Sequence, residues 1–376
     1  TRLHSCQVIS SADGGGIQLK NRGLTVSNEC CRTEKTFQLS EVLEIGGDLP
    51  PIAQIVSVTA VPTANDIKLI SNKALIKGDM AIKTLYIADS PDGELRSAEH
   101  TLPISQIIEL DNTDEDCSCI LNMNVSNTEV NMRADGTGAL RLLDTSVSVR
   151  ASMTVFNEQN ISIASDAYST EYEMEVSAKP IEYNTLIEQF TDTYLCRCAV
   201  NVQGVREVLS MTAGEVTASA AKNGDSVIIS GNVNVNLIIM SAEGEISFTE
   251  RQVDYEYKRT VNCAAFDRIK CEPVVAVTAS NFLISSADSV DVRIELTLTA
   301  AVFGVGSEKA IVEINVDENK RKTVKAAALT LYYPDENETM WSIARKYNTT
   351  VGAIMSENNL GDETLPSNTM LMIPRA

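Results

Sequence analysis

Residues 76–87 read IKGDMAIKTLYI, and residues 229–240 read ISGNVNVNLIIM. Each run carries a glycine near its start, Gly78 or Gly231, and then alternates apolar and polar side chains. A two-residue period places one set of side chains on each face of a strand. Each run ends at a turn of the same chemistry, Asp92-Gly93-Glu94 or Glu243-Gly244-Glu245. An acidic residue followed by glycine between alternating runs signals a hairpin. The return strands then read ELRSAEHTLPISQIIEL from Glu94 and EISFTERQVDYEYKRTV from Glu245. The two copies are offset by about 153 residues, the mark of an internal repeat.

Working outward, each copy closes on a further hairpin. The first is MRADGTGALRLLDTSVSVRASMTVF, ending at Phe156, and the second is SSADSVDVRIELTLTAAVF, ending at Phe303. A third echo stands at the start, where Ala12-Asp13-Gly14 matches Ala134-Asp135-Gly136. Thr1 is therefore expected to fall inside the last hairpin of an earlier copy. An isolated hairpin is marginal in water, so residues 1–31 are expected to pack on the second module or on a neighbouring molecule. Glu34–Ala64 is interrupted by Gly46-Gly47-Asp48-Leu49-Pro50-Pro51, where the double proline breaks regular structure. Tyr168–Cys198 starts as an alternating strand, with a helical turn or two expected around Tyr183–Phe190. Glu313–Lys325 is expected to be a linker, with Lys320-Arg321-Lys322 as a solvated hinge.

The C-terminal stretch has a different grammar. Residues 328–374 read ALTLYYPDENETMWSIARKYNTTVGAIMSENNLGDETLPSNTMLMIP. Leu329, Leu331 and Tyr333 alternate as a short strand. Thr339 is placed as a helix N-cap, whose hydroxyl accepts an orphan backbone N–H. Met340, Trp341, Ile343, Ala344 and Tyr347 follow at helical spacing, and Asn348 stops the helix. Thr349 or Thr350 caps a second helix carrying Val351, Ile354 and Met355 inward. Asn358 and Asn359 end it, Pro366-Ser367-Asn368 turns the chain, and Met370, Met372 and Pro374 close a second strand.

The totals fit this reading. The chain has 376 residues, enough for two to four domains. Aromatic content is 5%, so the cores rest on Val, Ile, Leu and Ala. The fold class expected is mainly β: tandem antiparallel β-sandwich-like modules followed by a small βααβ domain. The net charge of −20 repels nucleic acid and anionic membrane surfaces, so neither is expected as a partner. No apolar run approaches the length of a membrane span.

Nine cysteines are too sparse and too odd in number for a disulfide scaffold, and a reducing site of synthesis fits best. Cys117-Ser-Cys119 and Cys196-Arg-Cys198 each place two sulfurs on one face of a strand, but their gap is short for zinc. Free core thiols are one reading, and late oxidative cross-linking in an exposed assembly is the other. No metal and no cofactor is expected. With only His4 and His100, and no Gly-x-Ser-x-Gly, a Ser-His-Asp site is improbable, and Gly14-Gly15-Gly16 lacks the lysine and helix of a phosphate loop. No enzyme is expected. A wall hydrolase, which needs a carboxylate pair at a spacing no sequence shows, stays open as an outside alternative.

Two family resemblances sharpen this. Thr339, Trp341, Ile343-Ala344, Tyr347, Thr350, Ile354, Asn358-Asn359, Leu360 and Leu371-Met372-Ile373-Pro374 fit in order the lysin motif, and the stretch resembles the LysM family. That resemblance implies binding of N-acetylglucosamine polymers in a shallow groove between two loops. Here the loops supply Asp335, Glu336, Asn337, Glu338 and Thr339 on one side and Asn359, Leu360, Gly361 and Asp362 on the other. The family usually has Gly-Asp-Thr in the first loop. This chain has Asn337-Glu338-Thr339, preceded by Asp335 and Glu336, a bulkier and more acidic rim that weakens the sugar reading and favours protein docking over it.

Leu49-Pro50-Pro51-Ile52 to Ile55, the run KGDMAIKTLYI, Leu102-Pro103-Ile104-Ser105 to Ile108-Glu109-Leu110, and the hairpin around Arg141 and Asp144 resemble the spore-coat-assembly (SPOCS) module family of endospore-forming bacteria. The second copy keeps the strands but loses the Pro-Ile-Ser segment. Together the two resemblances imply the layout of a spore coat morphogenetic protein. They predict residues 1–35 as the end of an upstream module plus linker, 36–160 and 161–318 as SPOCS-like modules, and 323–376 as a LysM domain. They also imply a spore coat or spore-surface location, with synthesis in the mother-cell cytoplasm. The expected partners are copies of the chain, as a homo-oligomer or filament, and a coat-basement ATPase docked by the LysM. Peptidoglycan is the alternative partner.

Overall fold

The structure is a computed structural model, and it describes residues 9–12, 14, 16–323, 329–335, 337–365 and 370–374. The chain divides into two compact units, 27–158 with 184–305, and 1–26 with 159–183 and 306–376.

The larger unit holds two sandwiches of the same design. The first uses β1 (Ile17–Glu44), β2 (Ile52–Ile70), β3 (Lys73–Ala88), β4 (Leu95–Glu109), β5 (Ser118–Ala134) and β6 (Leu140–Ser169). One sheet has the order β2-β3-β4 and the other β1-β6-β5. The alternating residues of the two central strands meet in the core: Ile76, Met80, Ile82 and Tyr86 from β3, and Leu143, Val147, Val149 and Met153 from β6. Burying side chains of this size stabilises by about 1.5–3 kcal/mol each.

The second sandwich uses β7 (Tyr172–Asn201), β8 (Val205–Val216), β9 (Ser219–Asn223), β10 (Ser226–Ser241), β11 (Ile246–Thr260), β12 (Arg268–Cys271), β13 (Val274–Ser286) and β14 (Ser289–Arg321). β10 is central between β11 and β8, and β9 continues β8 along β10 in the same register. β14 is central in the other sheet, with β12 and β13 end to end along it and β7 also paired to it. Val227, Ile229, Val233, Val235 and Leu237 of β10 face Val290, Val292, Ile294, Leu296 and Leu298 of β14.

The glycines read from the sequence mark a shared device. A Cβ on Gly78 would overlap the carbonyl oxygen of Thr63, and one on Gly231 would overlap that of Thr217. At that level β2 has a bulge between Ala64 and Asp66, and β8 breaks before β9. A bent strand leans its backbone onto the central one, which only glycine accommodates.

The smaller unit contains the far ends of β1, β6, β7 and β14 and the C-terminal elements. Leu24, Val26, Ile163 and Ala310 form one small core, and Ala164, Ala167 and Ile311 another. Ile9 bonds Ile311 and Ala164 through its backbone at 3.0 and 2.9 Å. Then come β15 (Leu329–Tyr332), α1 (Met340–Tyr347), α2 (Val351–Glu357) and β16 (Leu371–Pro374), giving the βααβ order. Thr339 caps α1 in a reciprocal capping box with Ser342, at 3.2 and 2.9 Å. Asn348 ends α1 at φ 52°, and the Thr350 hydroxyl caps α2 through Ala353 N at 3.0 Å.

Three sequence expectations are corrected. Tyr183–Phe190 has no helical turn, because β7 runs unbroken through it and Tyr183 lays its ring where a Cβ on Gly306 would stand. Glu313–Arg321 is not a linker, because β14 continues to Arg321. Lys322 is not a solvated hinge residue: its ammonium donates to Ser169 O at 2.7 Å and to Asn348 Oδ1 at 3.0 Å. The turn expected at Pro366-Ser367-Asn368 lies outside the described residues.

Candidate functional site

The candidate loops leave the β15–β16 ladder from the same end, because Tyr332, the last residue of β15, pairs with Leu371, the first of β16. In the first loop Asp335 and Asn337 are exposed. Glu338 is half-buried and tied down: its Oε2 accepts from Tyr332 Oη at 2.7 Å and from Asp335 N at 3.1 Å. Lys346 Nζ lies 3.6 Å from Oε1 and donates to Tyr332 Oη at 2.8 Å. The Tyr332 hydrogen bond, then that of Asp335 N, hold the Glu338 carboxyl below the usual range. The acidic rim is thus weaker than the sequence suggests, since one carboxylate is absorbed by its neighbours. The Thr339 hydroxyl is engaged in the cap. Glu336 lies outside the described residues.

In the second loop Asn359 is exposed at φ 54°, a left-handed conformation that asparagine tolerates. Leu360 is half-buried and packs on the apolar core of the two helices. Gly361 and Asp362 are exposed, and Asp362 Oδ1 accepts from Thr364 N at 2.8 Å, which lowers its pKa. Asn358 braces this loop from inside. Its Nδ2 donates to Ile354 O at 2.8 Å, and its Oδ1 accepts from Met372 N at 2.7 Å. The groups open to a partner are therefore Asp335, Asn337, Asn359, Gly361 and Asp362: mainly short polar side chains and backbone, suited to hydrogen bonding rather than to covalent chemistry. Among the described residues, no group of three or more His, Cys, Asp or Glu could hold a metal.

A second set of contacts was not read from the sequence. Trp341 Nε1 donates to Asp166 Oδ2 at 2.8 Å, and Arg345 pairs with the same carboxylate at 3.1 Å. Tyr168 joins the core of Met340, Ile343 and Ala344 and stands edge-on to Trp341 at 4.8 Å. Its hydroxyl donates to Thr349 O at 2.7 Å. The face of α1 bearing Trp341 and Arg345 is thus occupied by the end of β6. No spacing signal in Asp166-Ala167-Tyr168 announces this, because a tyrosine at a strand end reads as ordinary strand.

Residues 51–133 match the family model described as SipL, SPOCS domain, and residues 336–374 match the LysM domain. The chain carries a SPOCS domain and a LysM domain. No curated protein and no solved structure matches it. The SPOCS match runs from the start of β2 almost to the end of β5, and the LysM match takes in both helices and β16. Both are non-catalytic binding or structural domains, and together they support a spore-associated, cell-wall-binding protein. Among the described residues, no helix is long and apolar enough to cross a membrane.

Proposed function

We propose that the chain is a structural protein of the spore surface, in which the β modules assemble with further copies and the LysM domain selects the point of attachment. The observation that supports this best is the seat of the LysM domain. Asp166, Tyr168 and Lys322 hold Trp341, Arg345, Asn348 and Thr349. A module pinned through one helix presents its two loops in a fixed direction, as an attachment head requires. In this reading residues 36–160 and 161–318 are the repeated scaffold modules, and a coat-basement ATPase is the partner at the LysM loops. Many weak contacts between copies would raise avidity beyond that of one shallow surface.

A second reading, attachment to peptidoglycan, draws on the exposed amides of Asn337 and Asn359 and the absorbed charge of Glu338. One experiment separates them. The full chain and an Asn337→Ala, Asn359→Ala variant are sedimented with insoluble peptidoglycan and, separately, run in sedimentation velocity over a range of concentrations. The scaffold reading expects species larger than a monomer that grow with concentration, and little wall binding. A strict monomer whose sedimentation with the wall is lost in the variant would replace it with the glycan reading.

A further inference from the structure

β13 stands at the end of the order β12-β14-β13, and among the described residues it pairs with β14 and no other strand. Its second edge therefore presents unpaired backbone N–H and C=O groups. Native edges are commonly blunted by charge or proline. Every other edge strand of the two sandwiches carries charged side chains, among them Lys68 on β2, Arg96 on β4, Arg206 on β8 and Lys270 on β12. β5, at the same place in the first sandwich, carries Glu129 and Arg133, and Arg133 pairs with Asp144 at 3.0 Å. β13 reads VVAVTASNFLISS, with no charge and no proline, in a chain of which 22% is charged.

The open stretch is Ala279–Ile284, which follows the bulge after Val277 and lies in unbroken register with Glu295–Val290 of β14. Phe282 and Ile284 pair with the core residues Val292 and Val290, yet stand 39% and 37% exposed. Leu283, on the opposite face, is 59% exposed. Apolar side chains thus meet water on both faces of one uncharged edge. The strand is held firm at its turn, where Val205 N donates to Ala287 O at 2.7 Å and Ser285 Oγ to Ser289 O at 3.1 Å. An edge already ordered loses little freedom when a further strand joins it.

We propose that the free edge of β13 is a site of strand addition, and that its occupant is β13 of a second copy, running antiparallel about a two-fold axis. The proposal rests on the reading of the β modules as assembling units. Charge selects the occupant. Two chains of net charge −20 repel, and a strand that meets its own copy doubles whatever charge it carries. An uncharged edge is where that penalty vanishes, whereas an edge built for a cationic strand would carry carboxylates. The pairing satisfies backbone groups of both copies and draws Phe282, Leu283 and Ile284 of each out of water. A two-fold contact uses the same patch on both partners, so this edge joins chains in pairs, and longer assemblies need a further contact.

The test compares the full chain with Leu283→Lys in sedimentation velocity over a range of concentrations. Val56→Lys, at a comparably exposed residue on the charged edge strand β2, is the control and is expected to associate as the parent does. The new lysine meets its own copy and removes the burial of a leucine, so the concentration for half association is expected to rise at least about tenfold. Added salt should strengthen association of the parent by screening its net repulsion. Hydrogen exchange of the parent should show protection of residues 279–284 that grows with concentration. That measurement uses the parent alone, so it does not depend on how the variant folds. Association that Leu283→Lys leaves unchanged, that salt weakens, or that leaves residues 279–284 unprotected overturns the proposal, while the reading of the modules as scaffold survives through another surface. A strict monomer at every concentration overturns both.

Discussion

The indole N–H of Trp341 donates to the carboxylate of Asp166 across 2.8 Å, joining helix α1 to the end of strand β6. The same carboxylate pairs with Arg345, but both partners of that ion pair are well exposed, and such pairs contribute little. The indole bond is the stronger part, since a partly buried N–H left without an acceptor costs about 1–3 kcal/mol. Asp166→Ala is expected to lower the stability of the LysM domain by that order. Trp341 is the only tryptophan in the chain, so its fluorescence reports this site directly. A red-shifted emission and an earlier urea midpoint are expected, and an unchanged spectrum would show that the seat is not held by this bond.

Tyr168 gives the same seat a pH dependence. Burial raises its phenol to about 12, against an ordinary value of about 10. In the unfolded chain the proton leaves first. The folded state therefore holds more protons between about pH 10 and 12, and stability falls across that window as pH rises. Tyr255 is also raised to about 12 by burial, so the slope of the parent protein contains both. Tyr168→Phe is expected to flatten the alkaline slope of the tryptophan-monitored transition. It should also cost about 1 kcal/mol at neutral pH through the lost bond to Thr349 O.

The parts legible in the sequence are those where one period holds over one element. β3 and β10 alternate cleanly, their turns carry Gly93 and Gly244 at positive φ, and the caps Thr339 and Thr350 stand where their chemistry requires. The parts missed are strands that serve two cores. β7 and β14 run for 30 and 33 residues, far beyond the usual five or six. Their patterning is set by one core at one end and another at the other, so the far ends read as a helical turn at Tyr183 and a linker after Glu313. β15 misleads differently. Leu329 and Leu331 are the exposed residues of that strand, and Tyr333, just past its end, is exposed as well. Within the LysM loops the sequence supplied the residues but not their states. That Glu338 spends its charge on Tyr332 and Lys346 depends on a tyrosine before the loop and a lysine two turns into the helix.

Glu338 is expected to act on the loop's shape and not on its ligand. Its pKa is lowered by hydrogen bonds that exist only in the folded state. Its contribution is present above the unfolded value of about 4.3 and is lost as pH falls through the lower folded value. Glu338→Gln should remove this acid-side dependence and cost about 0.5–1 kcal/mol, measured by urea denaturation at pH 7 and pH 4. If the loop binds peptidoglycan, the variant should sediment with it as the parent does, while Asn337→Ala should not. Equal loss in both would make Glu338 part of the binding surface.

Gly78 and Gly231 make the strongest claim about the repeat. Each faces a backbone carbonyl, Thr63 O or Thr217 O, at a distance no Cβ tolerates. Neither obstacle is a flexible side-chain end, so the bent strand itself must move. β-ladder bonds on both sides of each central strand resist that movement. Gly78→Ala and Gly231→Ala are therefore each expected to destabilise by more than about 2 kcal/mol, well beyond the few tenths typical of a neutral surface change. The effects should be alike, because the bulge after Ala64 and the break after Val216 do the same job in the two sandwiches. The comparison is by urea midpoint at constant m-value, with Gly214→Ala as a control, since no atom lies within 4 Å of a Cβ built there. A small effect at one glycine and a large one at the other would mean that the two sandwiches share strand order but not the close approach at their centres.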